Sequence, residues 1–219
     1  MMTLSTRYVA LLLALPAAAL LAVWSYSYGA IRSDDCIDPH ALLESTWVAG
    51  MRPQAERKHA PPSWAFQSIE GTVPSEDPMI SPLEIRILRT FEPDQLYGNP
   101  LKTFRGSHEL ITSQITLSWI DAESDRLPVH EVLTEAPRGV RIDAYIFFYD
   151  SRPVANPVPA MLSGAASRLR SGPLPLTLVT VSAYASDPLR DEARKLAEEA
   201  LVSSWEHYRT ACRGPAVLE

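Results

Sequence analysis

The 219-residue sequence has none of the short motifs by which catalytic sites are usually recognised. The phosphate-binding patterns GxxxxGK[ST] and GxGxxG are absent, and nine glycines leave little material for backbone cradles. The metalloprotease pattern HExxH, the hydrolase pattern GxSxG and paired CxxC units are absent too. These absences lower the expectation of an enzyme, although a site assembled from residues far apart in the chain would not be visible in this way.

Clusters of basic residues are also lacking. Only two basic residues and no acidic ones lie in the first 33 positions, so the rest of the chain carries 18 basic and 26 acidic side chains, a net charge of −8. An acidic domain repels phosphate backbones, and no run of Lys or Arg interleaved with aromatic residues offsets this repulsion. We therefore expect no nucleic acid among its partners.

The five histidines show no metal-ligand spacing. Two of them precede a glutamate, in His108-Glu109 and His130-Glu131, but adjacent residues of a strand point to opposite faces. A zinc site needs three or four convergent ligands. The sequence therefore predicts neither a metal nor another cofactor.

Only two cysteines are present, Cys36 and Cys212, and they lie 176 positions apart. In an oxidising compartment two cysteines more often form a structural bridge than a reactive pair. Because the termini of a domain commonly lie close together, the two side chains could meet. The sequence thus predicts a disulfide between them, with two unpaired thiols as the alternative.

One long apolar run is present, at the N-terminus. Tyr8–Trp24 is uncharged and almost wholly apolar, and Tyr26 and Tyr28 follow it. A membrane-spanning helix needs roughly 20 such residues, and aromatic side chains often mark its interfacial end. Residues 1–33 are therefore predicted to be a membrane anchor, with the N-terminus inside and the rest of the chain outside the cytoplasm.

A cleaved signal peptide is the competing interpretation of this segment, with small residues at 16–19 as the cleavage site. The anchor is favoured because apolar sequence resumes after Ala19, and cleavage after Ala30 would place bulky Tyr28 where a small residue is required. Both interpretations export the domain. The predicted location is the inner (plasma) membrane, crossed once, with the C-terminal domain in the periplasm.

Residues 34–82 are rich in proline and in mixed charge. Proline fixes φ and removes a backbone donor, so this segment is predicted to form a stalk and an outer layer of the domain. A short helix is expected at Ala41–Trp47. The side chains of Trp47 and Trp64 are expected to cover the sheet, with an exposed partner-binding patch as the alternative. Residues 83–214 are predicted to form an α+β domain.

Five strands are predicted within that domain from the spacing of apolar residues: Leu83–Phe91, Leu110–Ile120, Leu127–Thr134, Arg141–Tyr149 and Leu174–Tyr184. The second alternates cleanly, so one of its faces should be solvated, and it should form an antiparallel hairpin with the third. The fourth is apolar on both faces, which is typical of a central strand covered on both sides.

Two helices complete the prediction. One begins at Asn156-Pro157 and runs to about Arg170, and the other begins at Ser186-Asp187-Pro188 and ends before Gly214. A strand, a helix and a strand of these lengths indicate a parallel pair with a right-handed crossover. The predicted fold class is therefore α+β, with a mixed, largely antiparallel sheet and at least two packed helices, the C-terminal one on a sheet face.

The carboxyl ends of that parallel pair provide one candidate ligand-binding site. Its residues are Asp150, Ser151, Arg152, Asn156, Ser186 and Asp187. Adjacent ends of parallel strands often carry ligand sites, where Arg152 could bind an anionic group and a carboxylate could accept a proton. The alternative is structural: Asn156 and Asp187 cap helices, and Arg152 pairs with Asp150.

The sequence leaves two functional hypotheses. The first is a non-catalytic, membrane-anchored envelope protein that holds a protein partner, as an accessory or scaffold component of an export, polysaccharide or assembly system. The second is a membrane-tethered enzyme acting on an anionic substrate in a crevice around Arg152, Asp150 and Asp187. A concave site with perturbed titratable groups would favour the enzyme, whereas a filled strand end with an exposed apolar patch elsewhere would favour the scaffold.

Overall fold

A computed structural model of the chain describes residues 38–55, 65–75, 77–92, 115–122, 125–136, 139–150, 152–163 and 174–213. The predicted anchor at residues 1–33 lies outside this part of the chain, as do Trp64 and Ser151. Among the described residues, no helix has the length and apolar character that crossing a membrane requires.

The described chain contains three α-helices and eight β-strands. The helices are α1 (Pro39–Ser45), α2 (Pro157–Ser163) and α3 (Arg190–Arg213), the last preceded by a 3-10 turn at Asp187–Leu189. The strands are β1 (Gln54–Ala55), β2 (Gln67–Val73), β3 (Leu83–Thr90), β4 (Ile115–Ala122), β5 (Asp125–Ala136), β6 (Gly139–Tyr149), β7 (Arg152–Val154) and β8 (Leu176–Ala185).

All eight strands belong to one sheet, in the order β1-β2-β3-β8-β6-β5-β4, with β7 paired to β6. Every strand pair within the described residues is antiparallel. The protein is therefore a mixed α+β fold with an antiparallel sheet and a few helices, which confirms the predicted fold class at this level. The predicted hairpin is confirmed as β4 and β5.

The predicted parallel pair is wrong. Strands β6 and β8 are adjacent but antiparallel, with Val140 opposite Ala185 and Phe148 opposite Thr177. The reason lies in the connection between them, because β7 folds back on β6 immediately after Asp150 and β8 then begins beside the end of β6. A chain that enters the next strand at the end where it left the last one can only run antiparallel.

Alternating side chains of β6 lie in two separate cores, as the sequence predicted for a central strand. Ile142, Ile146 and Phe148 face one side, where α1 and α3 pack, and we call this side the helix-pair face. Tyr145 and Phe147 face the other side, where Ala160 and Met161 of α2 pack, and we call this side the α2 face. The sheet is thus covered on both sides at its centre.

Helix α3 packs on the helix-pair face, which confirms the prediction for the C-terminal helix. Its buried stripe consists of residues at helical spacing: Ala193, Ala197, Ala200, Leu201, Ser204, Trp205 and Tyr208. The small alanines let the N-terminal half of α3 approach the sheet closely. In its C-terminal half, the ring centroids of Trp205 and Tyr208 lie 5.5 and 4.7 Å from that of Phe148. Pro188 opens the preceding turn as expected, but the side chain of Ser186 makes no capping hydrogen bond.

Part of the segment assigned to a stalk belongs to the folded domain. Helix α1 begins with Pro39, where a missing N–H costs nothing, and its Leu42 and Leu43 are fully buried. Gly71 of β2 makes this packing possible, because a Cβ atom there would lie 2.9 Å from Leu43 Cδ2. A hydrogen bond between the hydroxyl groups of Thr46 and Ser204 (2.9 Å) then links the end of α1 to α3.

Candidate functional site

The antiparallel pairing separates the residues of the predicted ligand site. Asp150 and Arg152 lie where β6 ends, whereas Asp187 follows β8 at the opposite end of the sheet. Val140 is the partner of Ala185, and Asp150 is ten residues further along, which corresponds to about 33 Å. The expectation that the two strand ends are neighbours is therefore wrong, and the five described residues of the predicted site do not converge on one crevice.

Local structure accounts for several of these residues individually. Asp150 adopts a φ of 50°, and Asp is one of the few residues that tolerate this left-handed conformation in the tight turn between Tyr149 and Arg152. The Asn156 carboxamide oxygen accepts a hydrogen bond from the backbone N–H of Val158 (3.0 Å) in the first turn of α2. The structural alternative considered for Asn156 thus fits its position.

The most prominent exposed apolar surface of the described sheet lies on β4. Ile115, Leu117 and Trp119 are 38%, 45% and 51% exposed and lie on the same face of the strand. The predicted alternation implied an apolar face that is buried and a polar face that is solvated, whereas these apolar side chains are exposed, as is Thr116 on the other face. We call these three side chains the β4 patch.

The β4 patch extends the buried core on the α2 face out to the edge of the sheet. Leu117 is the partner of His130 on β5, which is the partner of Tyr145 on β6. Directly paired residues share a face, so these three form one row that passes from a fully buried tyrosine to a half-exposed leucine. Likewise, exposed Ile115 is the partner of fully buried Val132.

The backbone of β4 forms an edge of the described sheet, because β4 is the last strand in its order. Residues 115–120 contain no charge and no proline. Natural edge strands usually carry a lysine, a proline or a bulge that prevents pairing with other chains. Arg126 of β5, 5.7 Å from the Trp119 ring centroid, is the cation that borders the patch.

His130 connects the β4 patch to the protein interior. Its imidazole stacks on the Tyr145 ring at a centroid distance of 4.9 Å, and its Nε2 donates a hydrogen bond to the carbonyl oxygen of Ala155 (2.9 Å). Burial lowers the pKa of His130, and the hydrogen bond to Ala155 opposes this effect. Burial likewise raises the pKa of Tyr145. A neutral imidazole therefore suits this position.

Glu131 points to the other side of the sheet, as expected for the residue after His130. Its carboxylate accepts two hydrogen bonds from Arg194 of α3, at 2.6 and 2.9 Å. This bidentate pair raises the pKa of Arg194, the largest effect being the hydrogen bond to Glu131. The pair fixes α3 against β5. The described residues contain no group of His, Cys, Asp and Glu side chains that could hold a metal ion.

Sequence reasoning missed a charged network on the α2 face. Arg86 and Glu70 form a salt bridge of 2.6 Å, while Arg141 lies 3.6 Å from Glu84 and 3.3 Å from Asp143. Strands β2, β3 and β6 are thereby joined through their side chains. Each of these carboxylates lies beside an arginine within the sheet, which favours a structural role over a catalytic one.

Asp143 is the fully buried member of this network, and it accepts a hydrogen bond of 2.5 Å from the Ser182 hydroxyl. A signal was available in the sequence, because Asp143 is the only acidic residue of the strand Arg141–Tyr149. A carboxylate in a strand that is apolar on both faces must find partners when it is buried.

A small cavity lies between the helix-pair face and the turn after α1. It measures about 80 Å³ and is lined mainly by apolar side chains, with Asp77 and Glu192 among its lining residues. Typical ligand pockets measure roughly 300 Å³ or more. The cavity is therefore too small for an ordinary substrate.

Cys212, near the end of α3, is disulfide-bonded. The chain has one other cysteine, Cys36, which lies outside the described residues. The bonded state of Cys212 supports the predicted pairing, which stays a prediction.

Comparisons of the chain with protein-family models, with curated proteins and with solved structures find no match.

Proposed function

We propose that this protein is a non-catalytic, membrane-anchored envelope protein whose domain outside the cytoplasm assembles with protein partners through the β4 patch. It would act as an accessory or scaffold component of a membrane-associated export, polysaccharide or assembly system. The anchor is inferred from the apolar segment Tyr8–Trp24 and from the absence of acidic residues before Asp34.

The observation that carries this proposal is the exposure of Ile115, Leu117 and Trp119 on an uncharged edge strand. Large apolar side chains that are grouped on a surface mark interaction sites more often than isolated ones do. The enzyme hypothesis loses its geometric basis, because Asp150 and Asp187 lie at opposite ends of the sheet. An exposed apolar patch away from these strand ends favours the scaffold hypothesis over the enzyme hypothesis.

Location is tested with reporter fusions after Glu219, one active only outside and one active only inside the cytoplasm. We expect activity from the outside reporter, and N-terminal sequencing of the mature protein should find the apolar segment still attached. A mature N-terminus at Leu20 or Ile31 would contradict the anchor. Activity of the cytoplasmic reporter would contradict export altogether.

Assembly is tested by isolating the full-length chain from detergent-solubilised membranes and measuring the mass of the complex. Leu117→Lys should reduce that mass to the mass of a single chain, because it places a charge within the patch. Leu162→Lys is the matched control, since Leu162 is a leucine of α2 that is 70% exposed and lies outside the patch. A complex that is unaffected by Leu117→Lys would mean that assembly does not use β4.

A further inference from the structure

We propose that the occupant of the β4 edge is a second copy of this chain, which pairs antiparallel with β4 about a two-fold axis perpendicular to the sheet. This inference rests on the proposed function and specifies its partner. In such a dimer the backbone edge of β4 and the β4 patch are covered together. The two sheets become one continuous sheet.

The sequence of β4 is complementary to itself in this arrangement. With Leu117 on the axis, Ile115 of one copy lies opposite Trp119 of the other. With Ser118 on the axis, Leu117 of one copy lies opposite Trp119 of the other. The first register pairs all three side chains of the β4 patch with one another, and the second pairs Leu117 with Trp119 but places Ile115 opposite Asp121. Apolar cross-strand pairs are the units that stabilise a sheet.

Charge does not oppose this pairing, although the exported part of the chain carries a net charge of −8. Residues 115–120 are uncharged, so no like charges lie directly opposite each other at the axis. The first acidic residue of the strand is Asp121, which is accompanied by Arg126 at 3.4 Å. A neutral strand within an acidic domain can therefore meet its own copy.

The position of the helices makes this dimer compatible with one membrane. Helix α1, the first described element after the predicted anchor, packs with α3 on the helix-pair face. A two-fold axis perpendicular to the sheet keeps the helix-pair faces of both copies on the same side of the joined sheet. Both anchors can then enter the same bilayer, and the two β4 patches meet on the opposite side, the α2 face.

The experiment uses the full-length chain in its membrane, with a single cysteine introduced at Leu117→Cys or at Ser118→Cys, followed by mild oxidation. A residue on the axis lies about 5 Å from its own copy, within reach of a disulfide, and each of the two registers places one of these two residues on the axis. We expect an adduct of twice the chain mass from at least one of these variants. The matched control is Gln54→Cys, on the exposed strand β1 at the other edge of the sheet, and it should give no adduct.

A second substitution tests whether the patch holds the dimer together. Adding Leu117→Lys to Ser118→Cys should reduce the yield of the adduct roughly tenfold, because each copy loses an apolar contact and gains a charge facing its partner. Adding Leu162→Lys instead should leave the yield unchanged. Thermal melting of both variants should match the parent, since each substitution lies at an exposed position.

Two results would contradict the proposal that a second copy of this chain pairs with the β4 edge. One is an adduct yield at residues 117 and 118 no higher than at residue 54. The other is an adduct whose mass differs from twice the chain, which would identify another polypeptide at the edge and leave the proposed function standing. The proposed function itself fails on the reporter fusions and the complex mass, which do not depend on these cysteines.

Discussion

At the scale of single residues, the pair between Arg194 and Glu131 joins α3 to the edge half of the sheet through two hydrogen bonds. The Glu131 side chain is only 13% exposed, and Arg194 holds both of its oxygens. Charge-assisted bidentate pairs of this kind are stronger than ordinary hydrogen bonds. A carboxylate left without its partner there would remain largely buried.

We predict that Arg194→Met lowers the free energy of unfolding by about 1–3 kcal/mol, a value reduced from that of a fully buried pair because the arginine is partly exposed. The control is Arg126→Met, since Arg126 and Asp121 form an exposed pair with side chains 68% and 91% accessible. Its effect should stay below about 1 kcal/mol, including the loss of its stacking on Trp119. Urea unfolding measures the free energy of unfolding of both variants. Equal losses for Arg194→Met and Arg126→Met would contradict the stabilising role given to the buried pair.

His130 should make stability depend on pH. Burial lowers its pKa in the folded state below the ordinary value of 6.5, so the unfolded chain takes up a proton more readily than the folded one. The stability contributed by the neutral imidazole is fully present above pH 6.5 and is lost as the pH falls through the lower pKa of the folded state. Acidification should therefore destabilise the domain.

We predict that His130→Gln reduces this loss of stability between pH 7.5 and 5.5, as measured by the free energy of unfolding at each pH. Some dependence should remain, because burial also lowers the pKa of His207. The prediction fails if the variant and the parent lose the same free energy over this interval.

At the scale of elements, the C-terminal half of α3 packs the rings of Trp205 and Tyr208 on the sheet, beside Phe148. Trp205 is 1% exposed and its ring packs beside those of Phe148 and Tyr208, whereas Trp47 is 43% exposed and is covered by Arg52. The substitution of tryptophan by alanine can therefore be compared at a buried position and at an exposed one.

Trp205→Ala is expected to lower the free energy of unfolding by about 3–5 kcal/mol, because the remaining cavity cannot be filled by its neighbours. Trp47→Ala should cost only about 1 kcal/mol, mainly the contact with Arg52. Chemical denaturation followed by far-ultraviolet circular dichroism distinguishes the two. A small effect at Trp205 would mean that α3 is held by its alanine-rich half instead.

At the scale of the whole molecule, the predicted disulfide from Cys36 to Cys212 would close a loop that contains every described element. In the chain-entropy model, a loop on the order of 100 residues or more is worth about 4 to 5 kcal/mol, comparable with the stability of a whole domain. Removing the bridge should therefore lower the melting temperature strongly.

Non-reducing mass spectrometry of the full-length protein should find one peptide that links Cys36 and Cys212, and Cys212→Ser should melt well below the parent. The parent treated with reductant should melt at the same temperature as this variant. Two thiols that alkylate freely in the untreated protein would show that the bridge does not form.

The sequence alone determined the identity of most described strands, the residues that share each face of β6 and the long C-terminal helix. These features are local, because the period of apolar residues is set by backbone geometry within one element. Segments rich in proline were harder to interpret, since Pro39 at a helix start is harmless while proline within an element is not.

Only the tertiary structure decided how the elements pair and what covers them. The direction of β8 relative to β6 depends on where the connection re-enters the sheet, which is beside the end of β6, and this antiparallel pairing separates Asp150 from Asp187. Alternation along β4 told which side chains share a face, but whether Leu117 is buried depends on whether another layer packs there. Burial is a property of neighbours distant in sequence, and for that reason the exposed β4 patch emerged only from the folded chain.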